Sequence, residues 1–138
     1  MDNQSKHPEN VRRKPTHYEA NEQKTLFEWA SYASCTRPEL NLLYHIPNGG
    51  SRNSLEAANL KKQGVKSGVP DICLPVARGK YHGLYIEMKH GENSTSEKQE
   101  EWIAALREQG YAAVICYGWV PARETLIKYL SMEVQKHE

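Results

Sequence analysis

Three residues carry the densest chemical signal in the chain. Asp71 follows Pro70, and sixteen positions later comes the run Glu87-Met88-Lys89. On an extended strand, residues i and i+2 point to the same face, so Glu87 and Lys89 project together. If the segment opened by Asp71 pairs with this one as a hairpin, Asp71 lies near Glu87 on that face. Two adjacent carboxylates repel each other and call for a cation between them. Their hard oxygen donors select Mg²⁺ or Mn²⁺. A lysine beside such a pair can orient or deprotonate a water, or stabilise a phosphorane-like transition state. The competing reading is an edge hairpin with exposed charges at alternating positions, in which Asp71 is an ordinary strand-entry residue beside proline. Leu84 and Ile86 weigh against it. They place the charges in an apolar strand where a core forms, and buried unpaired carboxylates are costly there.

The elements that must position these residues follow from periodicity and punctuation. Leu26, Phe27, Trp29, Ala30 and Ala33 recur at a helical period and predict a helix over 18–33. Thr16 can cap it, with Glu19 completing a capping box. The run 40–46 (LNLLYHI) reads as a strand stopped by Pro47-Asn48-Gly49-Gly50. Residues 54–63 read as a short helix closed by Gly64. Strands over 71–76 and 83–89 are joined by a linker of hairpin length. Ser94, Thr95 or Ser96 caps a helix running to about Gln109, with Trp102, Ile103 and Leu106 as its apolar stripe and Gly110 as its stop. A buried strand over 111–117 and a helix over 120–130 close the domain. The order helix, strand, helix, strand, strand, helix, strand, helix predicts an α/β domain, a mixed sheet flanked by helices. Trp29 and Trp102 fall in helical stripes and are assigned to the core, and Cys73 and Cys116 read as small buried hydrophobes.

A chain of 138 residues suffices for one core. Lys and Arg total 18 against 17 Asp and Glu, so any polyanion must be met by a local patch and not by global charge. The most concentrated positive stretch is Arg52, Lys61, Lys62 and Lys66. It is either a solvated helix face or a phosphate-neutralising surface. No apolar run approaches the roughly 18–20 residues that span a bilayer, which excludes a membrane-embedded protein. The first fifteen residues lack an apolar signal region, and three scattered cysteines fit a reducing cytoplasm. Residues 1–17, with Arg12, Arg13 and Lys14, are expected to form a flexible polar arm, 18–131 the folded domain and 132–138 a C-terminal tail. The His45-Ile-Pro-Asn48-Gly49-Gly50 turn can cradle a phosphate on backbone amides, with His45, Asn48 and Arg52 near the substrate.

Six ordered motifs make the chain resemble a stand-alone VRR-NUC domain, a branch of the PD-(D/E)xK, restriction-endonuclease-like nucleases. They are Glu19-x-x-x-Gln23-x-x-Leu-Phe-x-Trp29, His45-Ile-Pro-Asn48-Gly49-Gly50, Gly64-Val-Lys-Ser-Gly-Val-Pro-Asp71-Ile, Tyr81-His-Gly-Leu-Tyr-Ile-Glu87-Met-Lys89, Ser96-x-x-Gln99-x-x-Trp102 and Gly110-Tyr-Ala. The short self-contained form resembles phage or prophage versions. The resemblance implies that Asp71, Glu87 and the Met88 backbone carbonyl ligate Mg²⁺ or Mn²⁺, and that Lys89 positions the attacking water. It implies a further carboxylate from the first helix, where Glu19 matches best but Glu22 and Glu28 share the helix, with Gln23 one turn from Glu19 on the same face. It places Gln99 near the site, where residue type alone suggests an ordinary exposed glutamine. It further implies a homodimeric endonuclease acting on branched DNA, such as a four-way junction. Cleavage of flaps, single strands or duplex by the same chemistry, or an inactive nucleic-acid-binding module, are the alternatives.

Overall fold

The computed structural model describes residues 16–47 and 53–136, with the side chains of 16–20 outside that description. The elements are α1 (Thr16–Ala33), a short 3₁₀ helix (Pro38–Leu42), β1 (Tyr44–His45), α2 (Ser54–Lys62), β2 (Ile72–Leu74), β3 (Leu84–Lys89), α3 (Glu97–Glu108), β4 (Ala112–Tyr117) and α4 (Trp119–Leu130). The four strands form one mixed sheet in the order β1-β2-β3-β4. β1, β2 and β3 are antiparallel neighbours, and β4 runs parallel to β3 after the α3 crossover.

β3 is the central strand, and its alternation organises the molecule. Leu84, Ile86 and Met88 enter a core with Ile72 and Leu74 of β2, Leu26 and Ala30 of α1, and Ala122, Leu126 and Tyr129 of α4. Truncating a side chain such as Leu126, which is fully buried, to alanine costs about 2–5 kcal/mol. Because the even positions face that core, Tyr85, Glu87 and Lys89 must face the other side of the sheet. α3 packs there, with Ile103 buried and Arg107 Nε donating to the Ala113 carbonyl at 3.0 Å. Tyr129 carries a further tie: its hydroxyl donates to the Val76 carbonyl at 2.5 Å.

Three expectations are corrected. The segment 40–46 is not one strand: Pro38 starts a 3₁₀ helix, and only Tyr44 and His45 pair. Leu40 and Leu43 are buried while Leu42 is exposed, a spacing of three that suits 3₁₀ geometry and not alternation. The strand at 112–117 is an edge strand, with only Ala113 and Cys116 fully buried. Trp102 is not in the main core but half-buried beside α2, whereas Trp29 does pack on the core. The remaining elements fall within a few residues of expectation. Asn53 caps α2 by accepting from the Glu56 amide, and Ser96 is the cap of α3. Cys73 and Cys116 are buried as expected.

Candidate active site

The β2–β3 register builds the site. Ile72 pairs with Ile86, so the next residue outward, Asp71, stands opposite Glu87 on the face away from the core. Asp71 Oδ2 accepts from the Met88 amide at 2.9 Å, so the carboxylate takes a ladder position beside β3. A strand residue presents its N–H and C=O to the same side, so the Met88 carbonyl also faces Asp71. The Asp71 carbonyl is held in turn by the Ile46 amide at 2.6 Å and by His45 Nδ1 at 2.8 Å. Since a carbonyl can only accept, His45 carries its proton on Nδ1 and turns Nε2 away from the strand.

Glu87 is 2% exposed and Lys89 9% exposed. Lys89 Nζ lies 3.9 Å from Glu87 Oε1. The gap is bridged by Gln99, whose Oε1 accepts from Lys89 Nζ at 2.8 Å while its Nε2 donates to Glu87 Oε1 at 3.1 Å. Gln99 is fixed by a capping box. Its Oε1 also accepts from the Ser96 amide at 2.9 Å, and its own amide donates to Ser96 Oγ at 3.2 Å. The reading of Gln99 as an exposed glutamine is therefore set aside: it is half-buried and joins the two charged residues. The Ser96-x-x-Gln99 spacing is a capping-box signature visible in the sequence, but its reach to β3 is not.

Asp71, Glu87 and the Met88 carbonyl form a set of hard oxygen donors on one edge, which fits a divalent cation of the Mg²⁺ or Mn²⁺ type. Among the described residues no group of three or more His, Cys, Asp or Glu side chains converges on a shared point. The third expected carboxylate, Glu19, lies on α1 with its side chain outside the described residues. Of the other glutamates on that helix, Glu22 is engaged elsewhere. Its Oε2 accepts from the Trp119 amide at 2.7 Å and caps the N-terminus of α4. Gly118, at φ +98°, lets the chain turn there, and a Cβ would meet Glu22 Oε2 at 3.3 Å. Glu28 is exposed, and Gln23 is half-buried on α1.

Of the expected DNA contacts, Asn48 and Arg52 lie outside the described residues, as do the glycines of the turn. Lys61, Lys62 and Lys66 are exposed. Lys61 and Lys66 line a groove between α2 and α3 whose wall includes Gln99, while Lys62 is not part of that lining. Two residue pairs along the sheet from Asp71 and Glu87, on the same face, sits the row Tyr44, Cys73 and Tyr85. A hydrogen bond to Cys73 raises the Tyr44 pKa, and burial pushes Tyr85 up to about 12, with Cys73 beside it adding to the shift. Both hydroxyls therefore keep their protons at neutral pH. Sequence reasoning did not single out the Glu22–Trp119 contact, which joins residues 97 apart with no local pattern to announce it.

With this geometry in place, the likeness to known proteins is informative. The model of the VRR-NUC domain family matches residues 4–119. A solved structure described as a "VRR_NUC domain protein" aligns with a TM-score of 0.71 at 31% identity, over 85% of this chain and 91% of its own. No match was found among curated proteins.

Proposed function

The chain belongs to the VRR-NUC family, whose domain is a nuclease of restriction-endonuclease-like fold, and on that premise we propose that it is a Mg²⁺- or Mn²⁺-dependent endodeoxyribonuclease. We place the reaction at Asp71, Glu87 and Lys89. The observation that carries this reading is the convergence of two carboxylates and a lysine on one sheet face, clamped by Gln99.

Asp71, Glu87 and the Met88 carbonyl would hold the cation, with Glu19 as the further carboxylate. When bound, the cation supplies Lewis-acid polarisation of the phosphodiester and acidifies an adjacent water. Lys89, held by Gln99, would orient the attacking water in line with phosphorus. The water oxygen would form the new P–O bond as it loses a proton to solvent, and the ester oxygen opposite would leave with its electron pair and take up a proton from solvent. Lys89 also offsets charge as it builds on the phosphoryl oxygens. Burial of Lys89 and Glu87 keeps the pair preorganised, so little reorganisation accompanies the reaction. His45 Nε2 and the exposed Lys61, Lys62 and Lys66 would contact the DNA, together with Asn48 and Arg52.

The preferred substrate on this reading is branched DNA, and the working unit a homodimer whose two centres nick symmetric strands. The test is cleavage of a labelled four-way junction beside matched fork, duplex and single-stranded DNA, with Mg²⁺, Mn²⁺ or EDTA. Paired, metal-dependent nicks in the junction support the proposal. Cuts confined to forks or single strands keep the chemistry and overturn the junction preference. Binding without cutting in either metal overturns the enzyme.

A further inference from the structure

The groove between α2 and α3 leads away from the reaction cluster and has a composition the catalytic residues do not require. It encloses about 720 Å³. Leu60 of α2 and Trp102 of α3 supply apolar wall, Lys61, Lys66 and Lys98 bring three positive charges against the one carboxylate of Glu101, and Gln99 in the wall hydrogen-bonds Lys89 and Glu87 behind it. Lys98 also donates from Nζ to Ser67 Oγ at 3.2 Å, holding the loop after α2 against α3. At Gly68 a Cβ would come within 2.8 Å of the Lys98 backbone, so glycine permits that close approach. Ile103 takes the inward position of α3, which leaves its neighbour Trp102 half-buried at the groove.

We infer that this groove binds an unpaired stretch of the DNA strand next to the scissile phosphate, with a base stacked on Trp102 and backbone phosphates met by Lys61, Lys66 and Lys98. The inference rests on the nuclease reading above and narrows its substrate class. An indole offers its π-face to any base, but only to one whose own face is free. In a continuous duplex each base face is covered by its neighbour, so an aromatic wall contributes only where the strands have parted. Three lysines against one glutamate leave the lining net positive, which matches a phosphate backbone, although the chain as a whole carries only +1. The groove wall includes Gln99, so a strand lying in it comes beside the residue that holds Lys89. Forks, flaps and single strands qualify as substrates, and a junction qualifies only where pairs open at its branch point; uninterrupted duplex does not.

The test is fluorescence anisotropy in EDTA, which prevents cutting, with a fluorescein-labelled fork carrying unpaired arms and a fully paired duplex of the same length. Wild type is compared with Trp102→Leu, which keeps apolar volume without a π-face, and with Trp102→Phe. Loss of one base stack predicts roughly tenfold weaker fork binding for Trp102→Leu, near-recovery for Trp102→Phe, and duplex binding unchanged. Equal losses on fork and duplex, or no loss on either, overturn the groove assignment. If Trp102→Leu does not fold, the exposed Lys98→Met variant is read instead: weaker fork binding with a shallower salt slope supports the assignment, and an unchanged slope overturns it. The nuclease reading fails separately, on metal-dependent cleavage, which this binding assay does not measure.

Discussion

Gln99 Oε1 accepts a hydrogen bond from Lys89 Nζ at 2.8 Å. One atom thus serves both the start of α3, through the Ser96 amide, and the lysine of the proposed reaction centre. Local helix capping and the placement of a charged group on β3 share one acceptor atom.

This coupling separates two variants. Ser96→Ala removes the cap hydroxyl and should lower stability by about 1 kcal/mol, with cleavage close to wild type. Gln99→Ala removes the cap's second half and the Lys89–Glu87 bridge together. It should lose a comparable amount of stability and about 10–100-fold in single-turnover cleavage, as loss of a group that orients a metal-site residue does. Urea denaturation and single-turnover kinetics on both variants check this. Equal activity in the two would mean that Gln99 is only a cap.

Divalent cations should stabilise the fold through Asp71 and Glu87. At about 100 times Kd, a ligand that binds only the native state adds about 2.7 kcal/mol. Thermal melts should therefore shift upward by several degrees on adding Mg²⁺ or Mn²⁺, saturably, and return on adding EDTA. Asp71→Asn should abolish the shift. Glu19→Gln should reduce it if α1 supplies the third carboxylate, whereas a full shift in that variant would remove Glu19 from the metal site.

Glu22 is predicted to matter for stability and not for chemistry. Glu22→Ala leaves the Trp119 amide without its 2.7 Å acceptor at a half-buried helix start and should cost about 1–2 kcal/mol. Below its melting temperature the variant should cleave DNA as wild type does. A selective loss of cleavage without destabilisation would instead make Glu22 part of the site.

Two tyrosines give an alkaline signature. Burial pushes both Tyr85 and Tyr129 up to about 12. In the unfolded chain they ionise near 10, so the unfolded state loses its protons first. The stabilising effect is complete below about pH 10 and is lost as pH rises through the folded values near 12. Urea midpoints should fall between pH 10 and 12, and Tyr85→Phe should flatten that fall. An unaltered slope in Tyr85→Phe would contradict the assignment.

Much of this was legible in the chain because it depends on short-range rules. The i, i+2 relation of Glu87 and Lys89 and the apolar partners Leu84 and Ile86 announce a strand with one chemical face, and the hairpin linker brings Asp71 opposite. The segment 40–46 misled because Leu40 and Leu43, read as strand residues, obey a three-residue spacing that a β pattern hides. Trp102 misled for a related reason. A helical stripe says which side of α3 is apolar but not whether the sheet or α2 lies against each position. The Glu22–Trp119 contact and the bridge from Gln99 to β3 depend on tertiary placement, which no local spacing encodes.

The most direct test of the central claim is single-turnover cleavage of a forked or four-way DNA in Mg²⁺ by wild type, Glu87→Gln and Lys89→Met. The account predicts metal-dependent strand scission by wild type and losses of about 10²–10⁴-fold in each variant, with DNA binding retained within a few-fold. Wild-type cutting that survives either substitution would contradict it, because the reaction would then not run through the Asp71–Glu87–Lys89 face.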